Sequence, residues 1–307
     1  MSTAFNLSGL GYANLNGSIV ALQGISYSPN LGREPFRSGG DLNPSMMRRA
    51  GSRPAFRLTM PLSSAWGALG QFLPVNLSAF TMYEAAFSGT PALRIGTGAT
   101  TLGLTAITGL AYGMISRIYP TGGAVPLVLA DVTVVLCATD GLTDPVTLGS
   151  SSLPSGANPI LHTLGPLVDN ATARWGVRSW TLDTGIGLEA IQNDGLFYPT
   201  TYRLGAVQAI ANVAHNDVVT LHAAITDSGK DATGAGFILY ARAYDAASKT
   251  LQATGYSFTL ANAMASIESS GAQGTDRAEM ALQLASYAAA NALTYPITVS
   301  TSATLPT

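Results

Sequence analysis

The stretch Val125-Pro126-Leu127-Val128-Leu129-Ala130-Asp131-Val132-Thr133-Val134-Val135-Leu136-Cys137-Ala138 is dominated by β-branched and aliphatic residues and lies between the turn dipeptides Gly122-Gly123 and Asp140-Gly141. β-Branched side chains are stiff about χ1 and fit a pleated surface better than a helix, so an apolar run bounded in this way predicts a buried strand. Runs of the same kind recur at residues 77–87, 92–95, 104–119, 176–189, 202–211, 218–226, 236–244 and 254–260. Asp194-Gly195 and Ser228-Gly229 supply further positions for the positive φ that tight hairpins need. Residues 277–291 combine the alternation Met280, Leu282, Leu284 with a run of alanines that would suit a helix, and the neighbouring strands tip the reading to strand. The chain therefore predicts a mainly β fold, an antiparallel β-sandwich or barrel.

Met60-Pro61-Leu62-Ser63-Ser64-Ala65-Trp66-Gly67-Ala68-Leu69-Gly70 interrupts this pattern. It places a proline in the first turn, apolar residues at helical spacing and a glycine at the stop, which predicts one short flanking helix. Residues 1–60 are rich in Gly, Asn, Ser, Pro and Arg, with turn clusters at Ser28-Pro29-Asn30 and Ser38-Gly39-Gly40-Asp41. They read as a short strand near residues 17–27 followed by an extended N-terminal arm, with residues 61–307 as the β body. No internal repeat is legible, and no low-complexity linker separates two independent domains.

Charged residues make up only 10% of the 307, against about a quarter in ordinary globular chains. A free monomer stays dispersed largely through its charged surface, so a chain this neutral is expected to bury much of its exterior against partners. The formal net charge of -2 argues against a role in coating nucleic acid. The positive charge is nevertheless concentrated. Arg33, Arg37, Arg48, Arg49, Arg53 and Arg57 crowd into residues 33–57, opposed only by Glu34 and Asp41. As a nucleic-acid contact this segment has few stacking platforms, only Phe36 and Phe56. As an arm reaching the acidic surface of a neighbouring subunit it makes better sense, so the six arginines are the candidate assembly-interface residues.

Catalytic signatures are weak. Cys137 sits in an apolar run and is expected to be a small buried hydrophobe. His162, His215 and His222 lack metal-ligand spacing, and His222 is expected within a strand. Gly96-Thr97-Gly98-Ala99-Thr100-Thr101 starts like a dinucleotide fingerprint but has threonine in place of the third glycine. Asp183, Glu189 and Asp194 could converge as a glycosidase pair, although acids in a turn-rich stretch are more commonly solvated. No enzymatic role, metal or cofactor is expected. The uncharged stretches 58–83 and 95–116 are long enough to span a bilayer but are broken by prolines, polar residues and glycines, so no membrane partner is expected. The first six residues lack the basic and apolar regions of a signal peptide.

Asn43-Pro44-Ser45, Gly51-Ser52-Arg53-Pro54-Ala55-Phe56-Arg57-Leu58-Thr59-Met60-Pro61-Leu62, Gly176-Val177-Arg178-Ser179-Trp180-Thr181-Leu182-Asp183-Thr184-Gly185-Ile186-Gly187-Leu188-Glu189 and Asp194-Gly195-Leu196-Phe197-Tyr198-Pro199 together resemble tail-tube-like virion proteins of tailed bacteriophages. The resemblance implies a β-sandwich with a flanking helix whose sheets join around a ring, usually of six subunits, stacked into a tube that carries DNA. It also implies self-association as the main partnership, contact with other tail proteins, and passage of DNA without sequence-specific binding. The implied location is the virion tail, after assembly in the host cytoplasm. In that family an extended loop or arm packs against adjoining rings, and the segment from Arg33 to Arg57 is the implied equivalent. Two alternatives stay open: another viral structural component such as a capsid, decoration or baseplate protein, and a carbohydrate-binding or hydrolytic β-sandwich.

Overall fold

A computed structural model describes residues 4–36, 46–78, 80–88, 99–106, 111–123, 125–151, 159–193, 195–225, 230–232, 236–271, 279–287 and 295–306. The first half of the chain builds β1 (Ala4–Leu15), β2 (Ser18–Leu22), β3 (Gly24–Ser28), β4 (Leu31–Phe36), β5 (Met46–Ser52) and β6 (Ala55–Pro61). Helix α1 (Leu62–Leu69) follows, then β7 (Val75–Leu77), β8 (Phe80–Ser88), β9 (Ala99–Ala106), β10 (Ala111–Pro120), β11 (Val128–Leu136) and β12 (Val146–Ser151). The second half builds β13 (Leu161–Asp169), β14 (Thr172–Arg174), β15 (Val177–Asp183), β16 (Ile186–Ile191), β17 (Thr201–Val207) and β18 (Ile210–His215). Helix α2 (Val218–Ala224) follows, then β19 (Lys230–Ala232), β20 (Phe237–Asp245), β21 (Thr250–Leu260), β22 (Ala263–Gly271), β23 (Glu279–Ser286) and β24 (Ile297–Thr304).

The fold is mainly β, with antiparallel sheets arranged as a sandwich. A ten-stranded sheet runs β19-β22-β23-β18-β15-β10-β11-β6-β3, with β7 also on β10. Two five-stranded sheets, β12-β9-β8-β1-β2 and β14-β13-β20-β21-β24, cover one of its faces. β11 shows why that face is the inner one: Ala130, Val132, Val134 and Leu136 are fully buried, while Asp131 and Thr133 alternate onto the other side. Phe56 of β6 meets Phe80 of β8 at 5.1 Å, and Trp180 of β15 meets Phe258 of β21 at 5.7 Å. The long sheet is thus packed against one small sheet at each half over a large apolar core, with Val168, Tyr240 and Leu305 forming a second, smaller cluster. Helix α1 buries Leu62, Ala65 and Leu69, sets Trp66 against Tyr256, and ends as its sequence predicts, with Gly70 at φ 69° donating to Trp66 O.

The chain does contain an internal repeat, contrary to the reading of its sequence. β1 to β12 with α1, and β13 to β24 with α2, have the same order of elements and the same pairings. The small sheets correspond strand for strand, β12-β9-β8-β1-β2 against β24-β21-β20-β13-β14. The long sheet is two four-stranded blocks in tandem, β10-β11-β6-β3 and β22-β23-β18-β15, joined where β10 pairs with β15. Even the irregularities repeat. The β10–β11 register slips between Ile115 and Arg117, and the β22–β23 register slips at the matching Ile267 and Ser269. The β1–β2 turn uses Asn16 and Gly17 at positive φ, and the β13–β14 turn uses Asn170 and Ala171. Entry to the inserted hairpin uses Asn30 at φ 42° in one unit and Gly185 at φ 60° in the other; a Cβ on Gly185 would lie 1.7 Å from Gln208 O.

Two further expectations are corrected. Residues 218–226 begin as helix α2, because Asp217 caps them: its carboxylate accepts from Thr220 N–H at 3.2 Å and from the Thr220 hydroxyl. Two helices, not one, therefore occur among the described residues, and His222 lies on α2, not in a strand. The division expected at residues 60/61 falls inside the first unit, between Met60 of β6 and Leu62 of α1, both fully buried. Residues 279–286 form β23, a strand as read from the sequence.

Candidate assembly surface

The two units join where β10 meets β15. β10 and β15 pair with Arg117 opposite Asp183 and Ile118 opposite Leu182, and both apolar partners are fully buried. Thr184 closes the joint: its N–H donates to Ser116 O at 3.1 Å, and its hydroxyl reaches Ile115 O at 2.8 Å. The β16–β17 hairpin of the second unit then folds back over the first. Tyr202 O–H donates to Leu136 O at 3.3 Å, its ring lies 6.3 Å from that of Tyr112, and Ala138 N–H donates to Pro199 O at 2.9 Å. Burial in this contact, with the neighbouring Cys137, pushes the Tyr202 hydroxyl up to about 12. Cys137 is fully buried, as its sequence context predicts.

At its two ends the long sheet is not covered in the same way. β3 pairs β6 on one side, and among the described residues no strand pairs its other side. β22 carries β19 only along Ala263, Met264 and Ala265 of its outer edge. Beyond them Glu268, Ser269, Ser270 and Gly271 are exposed, as are Ser26, Tyr27 and Ser28 of β3. Open edges of this kind offer unpaired backbone donors and acceptors to another strand.

The six arginines do not form one arm. Arg37 lies outside the described residues. Arg33, Arg48 and Arg49 belong to the β4–β5 hairpin, with Arg33 opposite Arg49 and Glu34 opposite Arg48. That hairpin is the counterpart of β16–β17, where Glu189 pairs with Arg203 at 2.6 Å. Arg53 is exposed beside a cleft of about 460 Å³ lined by Asn30, Gly32, Gly51 and Gln192. Arg57 is exposed on β6, between Ser26 and Thr133, on the outward face of an interior strand.

No sequence signal marked Asp169, a buried carboxylate held by Lys230 at 2.7 Å and approached by Arg174 at 3.9 Å. It ties β13, β14 and β19 together, as expected for a charge that must be paired once buried. His215 is also buried, accepting from Asp217 N–H at Nδ1 (2.9 Å), and burial lowers its pKa. Of the three acids considered for hydrolysis, Asp183 accepts from Gly185 N–H, Glu189 pairs with Arg203, and Asp194 lies outside the described residues, as do Gly96, Thr97 and Gly98. Among the described residues no three His, Cys, Asp or Glu side chains gather into a metal site, and no helix is long and apolar enough to cross a membrane. No protein-family model and no curated protein matches the chain.

Proposed function

We propose that this chain is a virion structural protein, the major tail tube subunit of a tailed bacteriophage, which assembles with copies of itself into closed rings stacked into a conduit for DNA. The observation that carries the self-assembly is the long sheet built from two like blocks, in which, among the described residues, β3 at one end and the far part of β22 at the other each have an edge that no strand pairs. A protein with such edges gains by pairing them, and a closed ring removes them altogether. Its surface is suited to burial against copies, since only 10% of residues are charged. The resemblance to tail-tube-like proteins selects the tail among assemblies of this sort. On the outward face of the long sheet Arg57 lies between Ser26 and Thr133 in the first block, whereas in the second Thr181, Asn212 and Gln283 follow one another across paired strands as a neutral row. Such a face would bind a duplex weakly and let it slide.

Negative-stain electron microscopy of the purified protein tests this reading, with rings or tubes expected. Compact monomers at every concentration, together with binding to glycans, would overturn it in favour of a carbohydrate-binding sandwich.

A further inference from the structure

We infer that copies of this chain join head to tail, with β3 and the β4–β5 hairpin of one copy docking on β22 of the next in the register used by β15 and the β16–β17 hairpin on β10 within the chain. This deepens the self-assembly reading above and rests on it.

The internal repeat makes the inference specific. Through the shared ladders, Ser269 and Ser270 of β22 occupy the positions of Arg117 and Ile118 of β10. Ser28 and Tyr27 of β3 occupy those of Asp183 and Leu182 of β15. The contact between copies therefore sets Ser28 against Ser269 and Tyr27 against Ser270. Among the described residues the slot is also left open in the right place. β7 takes Ala111, Tyr112 and Gly113 of β10 and leaves the rest of that edge to β15. β19 takes only the matching Ala263, Met264 and Ala265 of β22.

Exposure separates the made contact from the unmade one. Ile118 and Leu182 are both 0% exposed at the internal junction, whereas Tyr27 is 39% exposed and Ser270 lies open. The surface under the hairpin repeats the contrast. Tyr112, half-buried against Tyr202, corresponds to Met264, which is 52% exposed; Cys137, fully buried, corresponds to the exposed Tyr287. Met47 of β5 stands at the register position of Tyr202. An exposed apolar surface whose duplicate is covered by a hairpin of this chain has that hairpin's own duplicate, on a second copy, as its natural occupant.

Because β3 and β22 lie at opposite ends of one sheet, the contact is heterologous, and it propagates until it closes. It is also weaker than its internal template. Pro29 stands where Thr184 does and offers neither the N–H nor the hydroxyl that lock β15 to β10. The opposed charges of Arg117 and Asp183 give way to two serines.

Two double variants, Ser28→Cys with Ser269→Cys and Tyr27→Cys with Ser270→Cys, test the register under mild oxidation. Adjacent positions of an antiparallel ladder alternate between hydrogen-bonded and non-hydrogen-bonded pairs, and one of the two places its cysteines within disulfide reach. The expected result is a reducible ladder of multimers from at least one double variant and none from the four single variants. Rings on the grid without a ladder from either variant would overturn the edge contact and leave the tail reading standing. Monomers without a ladder would overturn both.

Discussion

The first unit keeps its open strand covered and the second does not. β10 finds β15, and Tyr112 and Cys137 lie under the β16–β17 hairpin, all within one chain. β22, Met264 and Tyr287 have the same places in the second unit and remain exposed. The repeat thus makes one such strand edge an internal joint and leaves its counterpart facing outward. On the proposal above, the joint inside the molecule is a template for the joint between molecules, and the comparison can be attacked from either side.

The largest contrast is expected from a lysine at equivalent strand positions. Ile118→Lys buries a charge at a fully enclosed site and should prevent folding, seen as loss of a cooperative urea transition. Ser270→Lys, at the exposed equivalent, should leave that transition in place and weaken self-association at least tenfold in sedimentation. If both variants fold and assemble alike, the two positions are not equivalent.

Next comes the core beneath the two blocks. Trp180 and Ile25 match in the ladders, but Trp180 is 1% exposed against Phe258 and Ile25 is half-buried. Trp180→Ala should cost about 3–5 kcal/mol in urea denaturation, and Ile25→Ala less than about 2 kcal/mol. Acidification should also act on one unit first, because all three histidines lie in the second. Burial holds His162 down at about 4, below its ordinary 6.5, so its contribution is complete above pH 6.5 and is lost as the pH falls towards 4. The loss amounts to about 3 kcal/mol at most. Hydrogen exchange should therefore rise in β13 and its neighbours before β8 or β11, and His162→Phe should flatten the pH dependence.

The smallest effects concern the hydroxyl at the joint. Thr184→Val should destabilise the chain by about 1 kcal/mol through the lost bonds to Ile115 O and Ser116 O. Pro29→Thr, which restores those donors on the open edge, should tighten association severalfold, measured by the concentration dependence of sedimentation.

Much of the local structure was legible in the sequence. The alternation in β11 and β23, and the Pro61 and Gly70 that bracket α1, each follow from short-range chemistry. α2 escaped because Val218-Val219-Thr220 is β-branched, and a single cap at Asp217 outweighs that propensity. The repeat escaped because buried partners were resized while the ladders stayed fixed: Ile25 answers to Trp180, Phe56 to Ala211, Met60 to His215. Only traces survive, such as Leu31-Gly32-Arg33-Glu34 beside Ile186-Gly187-Leu188-Glu189, and Pro145-Val146-Thr147-Leu148 beside Pro296-Ile297-Thr298-Val299. The arginine cluster reads as an extended arm over residues 33–57, of which the described part is the β4–β5 hairpin and the start of β6, and the open edges belong to the pairing of distant strands, which no single segment carries.

Cryo-electron microscopy of the assembled particle, at a resolution that separates strands, tests the equivalence of the two joints most directly. The prediction is a sheet that continues without a break from β22 of one copy into β3 of the next, each β4–β5 hairpin lying over Met264 as β16–β17 lies over Tyr112. Copies that meet through β12 or β24 instead, with β3 and β22 left unpaired, would contradict it.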